Sequence, residues 1–182
     1  MNQWDALKDF KKIHNVSVEI IDKYKNQIPP ELLTIWENLG FGSFLNGYLK
    51  IINPDDYMEI LNNFYFMANS AIPIMITAFG DIITWENGRY ITIIMYRYKD
   101  FNIAVSDFDL FLDLLSESTF LKRNFQLELY NQCVSAHGLL EYAQCFGCVP
   151  LQKLGGIEKK ENFKKVKIKE HISMMVDILG GI

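Results

Sequence analysis

The chain has 182 residues, enough for one large domain or for one domain with a smaller appendage. Hydrophobic residues make up 49%, and 13 Phe, 9 Tyr and 3 Trp supply bulky side chains for a core, which argues against intrinsic disorder. The net charge of −4 provides no basic footprint for nucleic acid.

The N-terminal residues include acids and lysines where a signal peptide needs an apolar segment. The longest apolar runs, 71–79 and 90–96, are far shorter than the roughly 20 residues of a membrane helix. We therefore expect no membrane association and a cytoplasmic location, in which the three cysteines stay reduced.

The first forty residues are predicted to be helical. Helical spacing relates Trp4, Leu7, Phe10, Lys11 and His14, and then Val18, Ile21 and Tyr24. Pro29-Pro30 ends this segment and begins another helix, because a proline in the first turn lacks only an N–H that would have no partner there. Gly40 is predicted to end that helix.

An Asn-Gly turn signal then precedes a short predicted strand at 48–52. The next helix is predicted to begin with Asn53 as its cap and Pro54 in its first turn. Asp55 and Asp56 would lie at the positive end of its dipole.

The middle of the chain predicts an antiparallel β-meander. Four β-rich runs are separated by turns, at 73–79, 81–85, 90–96 and 101–106. Asn87-Gly88, between the second and third runs, is typical of a tight hairpin. The pattern argues against a parallel nucleotide-binding sheet, because strands and helices do not alternate.

Helical spacing returns after Asp107. Helices are predicted at 107–115, 124–145 and 169–179, with a turn-rich crossing at 147–156. The predicted fold class is therefore α+β, with N-terminal helices, a central antiparallel meander and C-terminal helices packed on the sheet. Residues 116–124 are a candidate boundary between two lobes.

One motif with known chemistry is present, Cys145-Phe-Gly-Cys148. A C-x-x-C pair can be redox-active or can form half of a zinc site, and Cys133 with His137 would supply two further ligands from one helix face. Buried cysteines more often serve as small apolar side chains, and the predicted position after a helix does not suit a thioredoxin-like motif. The sequence favours packing over metal or redox chemistry, and we expect no cofactor.

Catalytic motifs are otherwise missing from the sequence. It contains no G-x-S-x-G elbow, no H-E-x-x-H and no phosphate-binding loop. Three histidines leave little capacity for general-base catalysis, although an aspartate or glutamate could serve. We therefore predict a binding protein and not an enzyme.

Charge is distributed unevenly along the chain. Residues 53–120 contain ten acids against Arg89, Arg97 and Lys99, whereas residues 151–170 contain seven lysines against three glutamates. The acidic middle suggests a basic partner, although solvated turns and helix faces explain it as well. The lysine run lacks the aromatic interleaving of a nucleic-acid site, so we interpret it as a solvated face.

Two stretches resemble a known family. Residues 28–57, with IPPELLTIWENLGFGSFLNG and then NPDDY, resemble the GAD-like domain of bacterial immunity proteins. Residues 144–171, with QCFGCVPLQKLGG and then ENFKKVKIKEH, resemble the C-terminal domain of type VI secretion immunity proteins that protect against Tde-type DNase toxins. AFGDIITW lies between them, and a more distant resemblance extends to the cell-wall-assembly-regulator superfamily.

The resemblance implies a GAD-like α+β domain at 1–118 and a mainly helical immunity-type lobe at 119–182, or one continuous domain. It also implies an antidote that binds a cognate nuclease toxin, rather than nucleic acid or membrane. The alternative is an intracellular regulatory module without a toxin partner. The oligomeric state is not predicted.

An acidic or aromatic surface is the expected contact with the toxin. The candidate residues come from the acidic middle of the chain: Asp55, Asp56, Glu59, Asp81, Trp85, Glu86, Asp107 and Asp109. Tyr48 and Tyr57 are further candidate anchors if their rings are exposed.

Overall fold

An antiparallel sheet forms the centre of the computed structural model, which describes residues 5–182. Its strands are β1 Lys11–His14, β2 Phe41–Phe44, β3 Leu49–Ile51, β4 Ala71–Thr77, β5 Ile82–Glu86, β6 Tyr90–Met95 and β7 Asp100–Val105. They lie in sequence order, and each pairs antiparallel with the next. The predicted meander is confirmed, and it continues towards the N-terminus beyond the predicted strands.

Helices flank the sheet on both faces. They are α1 Val18–Tyr24, α2 Pro30–Asn38, α3 Met58–Phe64, α4 Phe108–Leu114, α5 Ser118–Asn124, α6 Leu127–His137 and α7 Ile168–Leu179. Asp107 caps α4 by accepting the N–H of Leu110, and Asn53 caps a 3-10 turn that precedes α3. The predicted α+β fold class is confirmed. Within residues 5–182, no helix is long and apolar enough to cross a membrane.

The helical prediction for Lys11 and His14 is wrong, because both belong to the edge strand β1. All four residues of this strand are exposed, so no apolar alternation marks it in the sequence. Lys12 lies opposite Gly42 of β2. A Cβ at Gly42 would lie 2.3 Å from the carbonyl oxygen of Lys11, so glycine permits the close pairing. Trp4, assigned to the same predicted helix, lies outside the described residues.

The helix predicted at 124–145 is wrong in its extent. Gly138, with φ of +80°, follows α6, and the chain then enters strand β8 at Gln144–Cys148. Strand β9, Phe163–Lys167, pairs antiparallel with β8 to form a second, two-stranded sheet. The C-x-x-C motif therefore lies in a strand and not after a helix.

Two hydrophobic clusters lie on opposite faces of the large sheet. Ile83 belongs to the first and its neighbour Ile82 to the second, because successive side chains in a strand point to opposite faces. Trp36 of α2 and Phe111 of α4 pack into the first cluster, and Met175 of α7 packs into the second. Side chains from 5–118 and from 119–182 contribute to both clusters.

Candidate partner-binding surface

The predicted surface role of Asp81 is wrong, because its carboxylate is buried against Arg97. Nε of Arg97 lies 2.8 Å from Oδ1 of Asp81, and Nη2 lies 2.9 Å from Oδ2, so the pair is bidentate. The Thr77 hydroxyl donates a third hydrogen bond to Oδ2 at 3.0 Å. Burial alone would lower the pKa of Arg97, but the adjacent Asp81 carboxylate raises it above its ordinary value. The pair stabilises the turn between β4 and β5.

Trp85 and Glu86 are also buried, so their predicted exposure is wrong. Every residue of β5 is covered, because this strand lies between β4 and β6 and both of its faces carry packed side chains. Oε1 of Glu86 accepts hydrogen bonds from the hydroxyls of Tyr65 at 2.9 Å and Thr84 at 2.7 Å. Trp85 belongs to the first hydrophobic cluster.

The candidate anchors Tyr48 and Tyr57 are core residues. Tyr48 is 1% exposed and Tyr57 is 6% exposed. The Tyr48 hydroxyl accepts a hydrogen bond from the backbone N–H of Gln126 at 3.1 Å. This bond connects the turn before β3 to the start of α6. Neither ring is available to a partner on this surface.

Asp55 and Asp56 are exposed, but each already has a basic partner in the chain. Lys23 of α1 pairs with Asp55, and Lys169 of α7 pairs with Asp56 at 2.9 Å. Partial burial would raise the pKa of Asp55, but hydrogen bonds from Lys23 and from the Tyr24 hydroxyl lower it below its ordinary value. The two aspartates therefore connect helices within the molecule.

An unpaired acidic surface remains on α4 and the turn after it. Asp109 and Asp113 are four residues apart and therefore share one side of α4, and Glu117 follows in the turn before α5. All three are exposed, and none forms an ion pair within residues 5–182. We name these three residues the acidic α4 face. Leu110, 46% exposed, adds an apolar side chain beside it.

The two remaining candidates, Asp107 and Glu59, have different roles. Asp107 is exposed, but its carboxylate is engaged as the cap of α4, at 2.9 Å from the Leu110 nitrogen. Glu59 is exposed on α3 and has no ion-pair partner in the described part of the chain. Of the predicted residues, Asp109 thus belongs to the acidic α4 face, which Asp113 and Glu117 complete. Asp109 and Asp113 are spaced four residues apart and lie away from the apolar positions of α4. This spacing could have identified the acidic side of the helix from the sequence.

A groove with a volume of about 1020 Å³ runs along α5 and α6. Leu121, Phe125 and Leu127 supply its apolar surface, while Gln126 and Glu158 supply a polar wall. All of its lining residues lie between positions 118 and 160. No pattern in the sequence indicated this groove.

The polar wall of the groove is connected to Arg97. Nη1 of Arg97 lies 2.8 Å from Oε1 of Gln126 and 3.1 Å from Oε1 of Glu158. The Tyr98 hydroxyl also donates to Glu158. Burial raises the pKa of Glu158, but the hydrogen bonds from Tyr98 and Gln152 and the charge of Arg97 bring it below its ordinary value, so this carboxylate is ionised.

The cysteines and His137 do not converge. Cys145 belongs to the second hydrophobic cluster, whereas Cys133 and Cys148 belong to the first, because positions 145 and 148 face opposite sides of β8. Burial raises the pKa of the Cys145 thiol to about 12 and that of Cys133 to about 11, which keeps both protonated near neutral pH. Across residues 5–182, no three His, Cys, Asp or Glu side chains are grouped to hold a metal ion.

The described residues form an α+β protein with an exposed acidic surface at α4 and a partly apolar groove along α5 and α6. Residues 3–97, just over half of the chain, match the family model described as GAD-like domain. Residues 105–179 match the model described as T6SS immunity protein Tdi1, C-terminal. The chain therefore belongs to the type VI secretion immunity proteins that join a GAD-like domain to a Tdi1-type C-terminal domain, as the resemblance predicted.

The crystal structure of Atu4351 from Agrobacterium tumefaciens has the same fold. It superposes with a TM-score of 0.77 over 94% of this chain and 87% of that chain, at 20% sequence identity. No curated protein matches the sequence.

Proposed function

We propose that this protein binds and neutralises a cognate toxin, and that the toxin is a DNase delivered by type VI secretion. The match of residues 105–179 to the Tdi1 C-terminal domain carries the proposal. The acidic α4 face and the groove along α5 and α6 both lie in that matched segment. Glu117 immediately precedes Ser118, which lines the groove, so the two surfaces adjoin.

Electrostatics supports a nuclease as the partner. A DNase has to present a cationic surface to the phosphates of its substrate. The acidic α4 face offers three carboxylates that are not neutralised within the described part of the chain, and such a surface complements a cationic one and accelerates encounter. A protein bound over that surface excludes DNA without any chemistry of its own.

The acidic α4 face is held rigidly. Phe108, Phe111 and Leu112 occupy the opposite side of α4 and are buried in the first cluster, and Asp107 caps the helix. A binding surface on a packed helix loses little conformational freedom when a partner docks. Affinity in nuclease–immunity pairs reaches roughly 10⁻¹³ M or tighter, which requires such preorganisation.

The test uses the cognate toxin, which we expect the gene adjacent to that of this protein to encode. Co-expression should restore growth, the two proteins should co-purify as a stable complex, and the purified protein should block cleavage of plasmid DNA by the toxin. A catalytically inactive toxin should bind equally well, because inhibition by occupancy needs no turnover. Absence of both rescue and co-purification would contradict the immunity role. Rescue from a toxin that leaves DNA intact would contradict only the assignment to a DNase.

A further inference from the structure

Strand β7 forms an open edge of the large sheet. It pairs with β6 on one side, and in the described part of the chain no strand pairs with its other side. The N–H of Phe101 donates to the Asp100 carboxylate at 2.8 Å, as an edge amide without a neighbouring strand can do. Because alternate residues of an antiparallel strand direct their backbone groups to opposite edges, Ile103 directs its N–H and C=O to the same edge as Phe101. This edge therefore offers backbone donors and acceptors to a further strand.

Exposed apolar side chains accompany these backbone groups. Phe101 is 38% exposed and Ile103 is 52% exposed, and both lie on one face of β7 because they are two positions apart. Phe66 is 63% exposed, and its ring centroid lies 5.4 Å from that of Phe101. We name the outer side of β7, together with the Phe66 ring, the β7 edge. Large apolar side chains that are grouped and exposed in this way mark an interaction surface.

The opposite edge of the sheet differs in its chemistry. Strand β1 contains Lys11, Lys12 and His14 among its four residues, and lysine on an edge strand opposes the addition of a further strand. Strand β7 contains no lysine, arginine or proline. Of the two edges, β7 is therefore the one suited to pairing with a strand from another molecule.

The charge around β7 determines which strand would fit. Residues 100–117 contain five acids and no Lys, Arg or His, and α4 with its acidic face follows β7 directly in the chain. A second copy of this chain would bring two such acidic segments together, and like charges oppose that pairing. A segment that contains lysine or arginine would be attracted instead.

We infer that the β7 edge accepts an extended segment of a protein partner, with apolar side chains at alternate positions and basic residues between them. Main-chain hydrogen bonds with Phe101 and Ile103 would add this segment to the sheet, and its apolar side chains would pack beside Phe66. A DNA-cleaving toxin displays basic residues, so identifying the partner as the toxin rests on the proposed function. A segment bound here would lie beside the start of α4, so both surfaces could contact one partner.

The first experiment places the same substitution on either edge and measures affinity for catalytically inactive toxin by calorimetry. Ile103→Lys puts a cation beside the basic residues of the added segment and removes an apolar contact, so it should weaken binding about tenfold or more. Ile13→Lys is the matched control, since Ile13 is 46% exposed on β1 and the change in net charge is the same. This control should leave affinity unchanged. Thermal unfolding of both variants confirms that the fold persists.

The second experiment determines whether the backbone makes the contact. Amide hydrogen exchange is measured for the protein alone and in complex with the toxin. The amides of Phe101 and Ile103 should exchange about tenfold more slowly in the complex, because strand addition gives them carbonyl partners. The amides of β1 are the internal reference and should not change.

A third experiment needs no toxin. A short capped peptide of alternating lysine and valine is titrated into the isotope-labelled protein, and a counterpart with glutamate in place of lysine is titrated in parallel. The lysine peptide should shift the amide resonances of residues 100–105, and Ile103→Lys should abolish that shift. The glutamate peptide should leave these resonances unchanged.

Equal toxin affinities of Ile103→Lys and Ile13→Lys would overturn the inference, and so would unchanged exchange at Phe101 and Ile103 in the complex. Exchange at β7 that slows with protein concentration alone would identify a second copy as the occupant and would also overturn it. If the wild-type protein binds no toxin, the proposed function fails, and the peptide titration then decides the β7 edge. Equal responses to the two peptides, or no response, would exclude it.

Discussion

Arg97 and Glu158 are joined across 61 positions of sequence, with Nη1 of Arg97 3.1 Å from Oε1 of Glu158. Arg97 is the last residue of the GAD-like match, and Glu158 lies within the Tdi1-type match. Since the same guanidinium is bidentate with Asp81, one buried side chain connects the large sheet to the wall of the groove.

Replacing Arg97 should therefore be strongly destabilising. Arg97→Met leaves the Asp81 carboxylate buried without its cation, which should lower the free energy of unfolding by about 3–5 kcal/mol in urea titrations. Arg97→Met combined with Asp81→Asn should recover part of that loss, because the uncompensated charge is removed. Equal stability of the single and double variants would show that the ion pair is not the cause.

Gly42→Ala should disrupt the pairing of β1 with β2. The new Cβ would lie 2.3 Å from the Lys11 carbonyl oxygen and 2.7 Å from the Phe10 ring, so the edge strand has to move. We expect a loss of about 1–3 kcal/mol and faster amide hydrogen exchange in residues 11–14. Ser43→Ala, one residue along the same strand, is the control. Unchanged exchange in the glycine variant would contradict the β1 assignment.

The stability contributed by Lys50 should rise with pH. Its side chain is buried, and burial lowers its pKa from 10.5 to about 8. Below about pH 8 both the native and the unfolded chain hold the proton, and the native state bears the cost of a buried charge. Between the two pKa values the unfolded chain binds more protons, so the free energy of unfolding increases as pH rises.

Lys50→Met isolates this effect from other titrating groups. The free energy of unfolding of the wild type minus that of the variant should increase by about 2 kcal/mol as the pH rises from about 7.5 to about 9.5. A difference independent of pH would mean that the Lys50 pKa is not lowered.

Charge removal on the acidic α4 face should slow association with the toxin. In stopped-flow measurements at low salt, Asp109→Asn with Asp113→Asn should reduce the association rate constant about tenfold, and the reduction should shrink as salt rises. Glu37→Gln with Glu141→Gln removes the same charge from other exposed positions. Equal slowing by both pairs would indicate a general effect of net charge rather than a docking surface.

The central sheet was predictable because its determinants are local. Asn87 and Gly88 both have positive φ, at +53° and +62°, as the tight hairpin expected from Asn-Gly requires. The cap formed by Asp107 was equally visible, since the apolar spacing of α4 begins at the next residue. Strand β1 was not predictable, because all of its side chains are exposed and its pairing with β2 depends on Gly42, about thirty residues further along the chain.

The candidate site was only partly predictable for a related reason. Acidic composition alone does not distinguish Asp81, which pairs with Arg97 in the interior, from Asp109, which faces solvent. Pairing between distant positions decides which charges are neutralised, and a single sequence does not display it. Residues on one helix face, such as Asp109 and Asp113, are related by a spacing that the sequence does display.

The order of the seven strands also bears on how the protein is made. Each strand pairs with its predecessor in the chain, so the sheet can grow as residues leave the ribosome. Parts of both faces of the sheet nevertheless remain exposed to solvent until the covering helices are synthesised. These helices are α4, α5 and α6 on one face and α7 on the other. The acidic α4 face emerges before α5, α6 and α7, so these carboxylates are already synthesised when the elements that complete both hydrophobic clusters have yet to leave the ribosome.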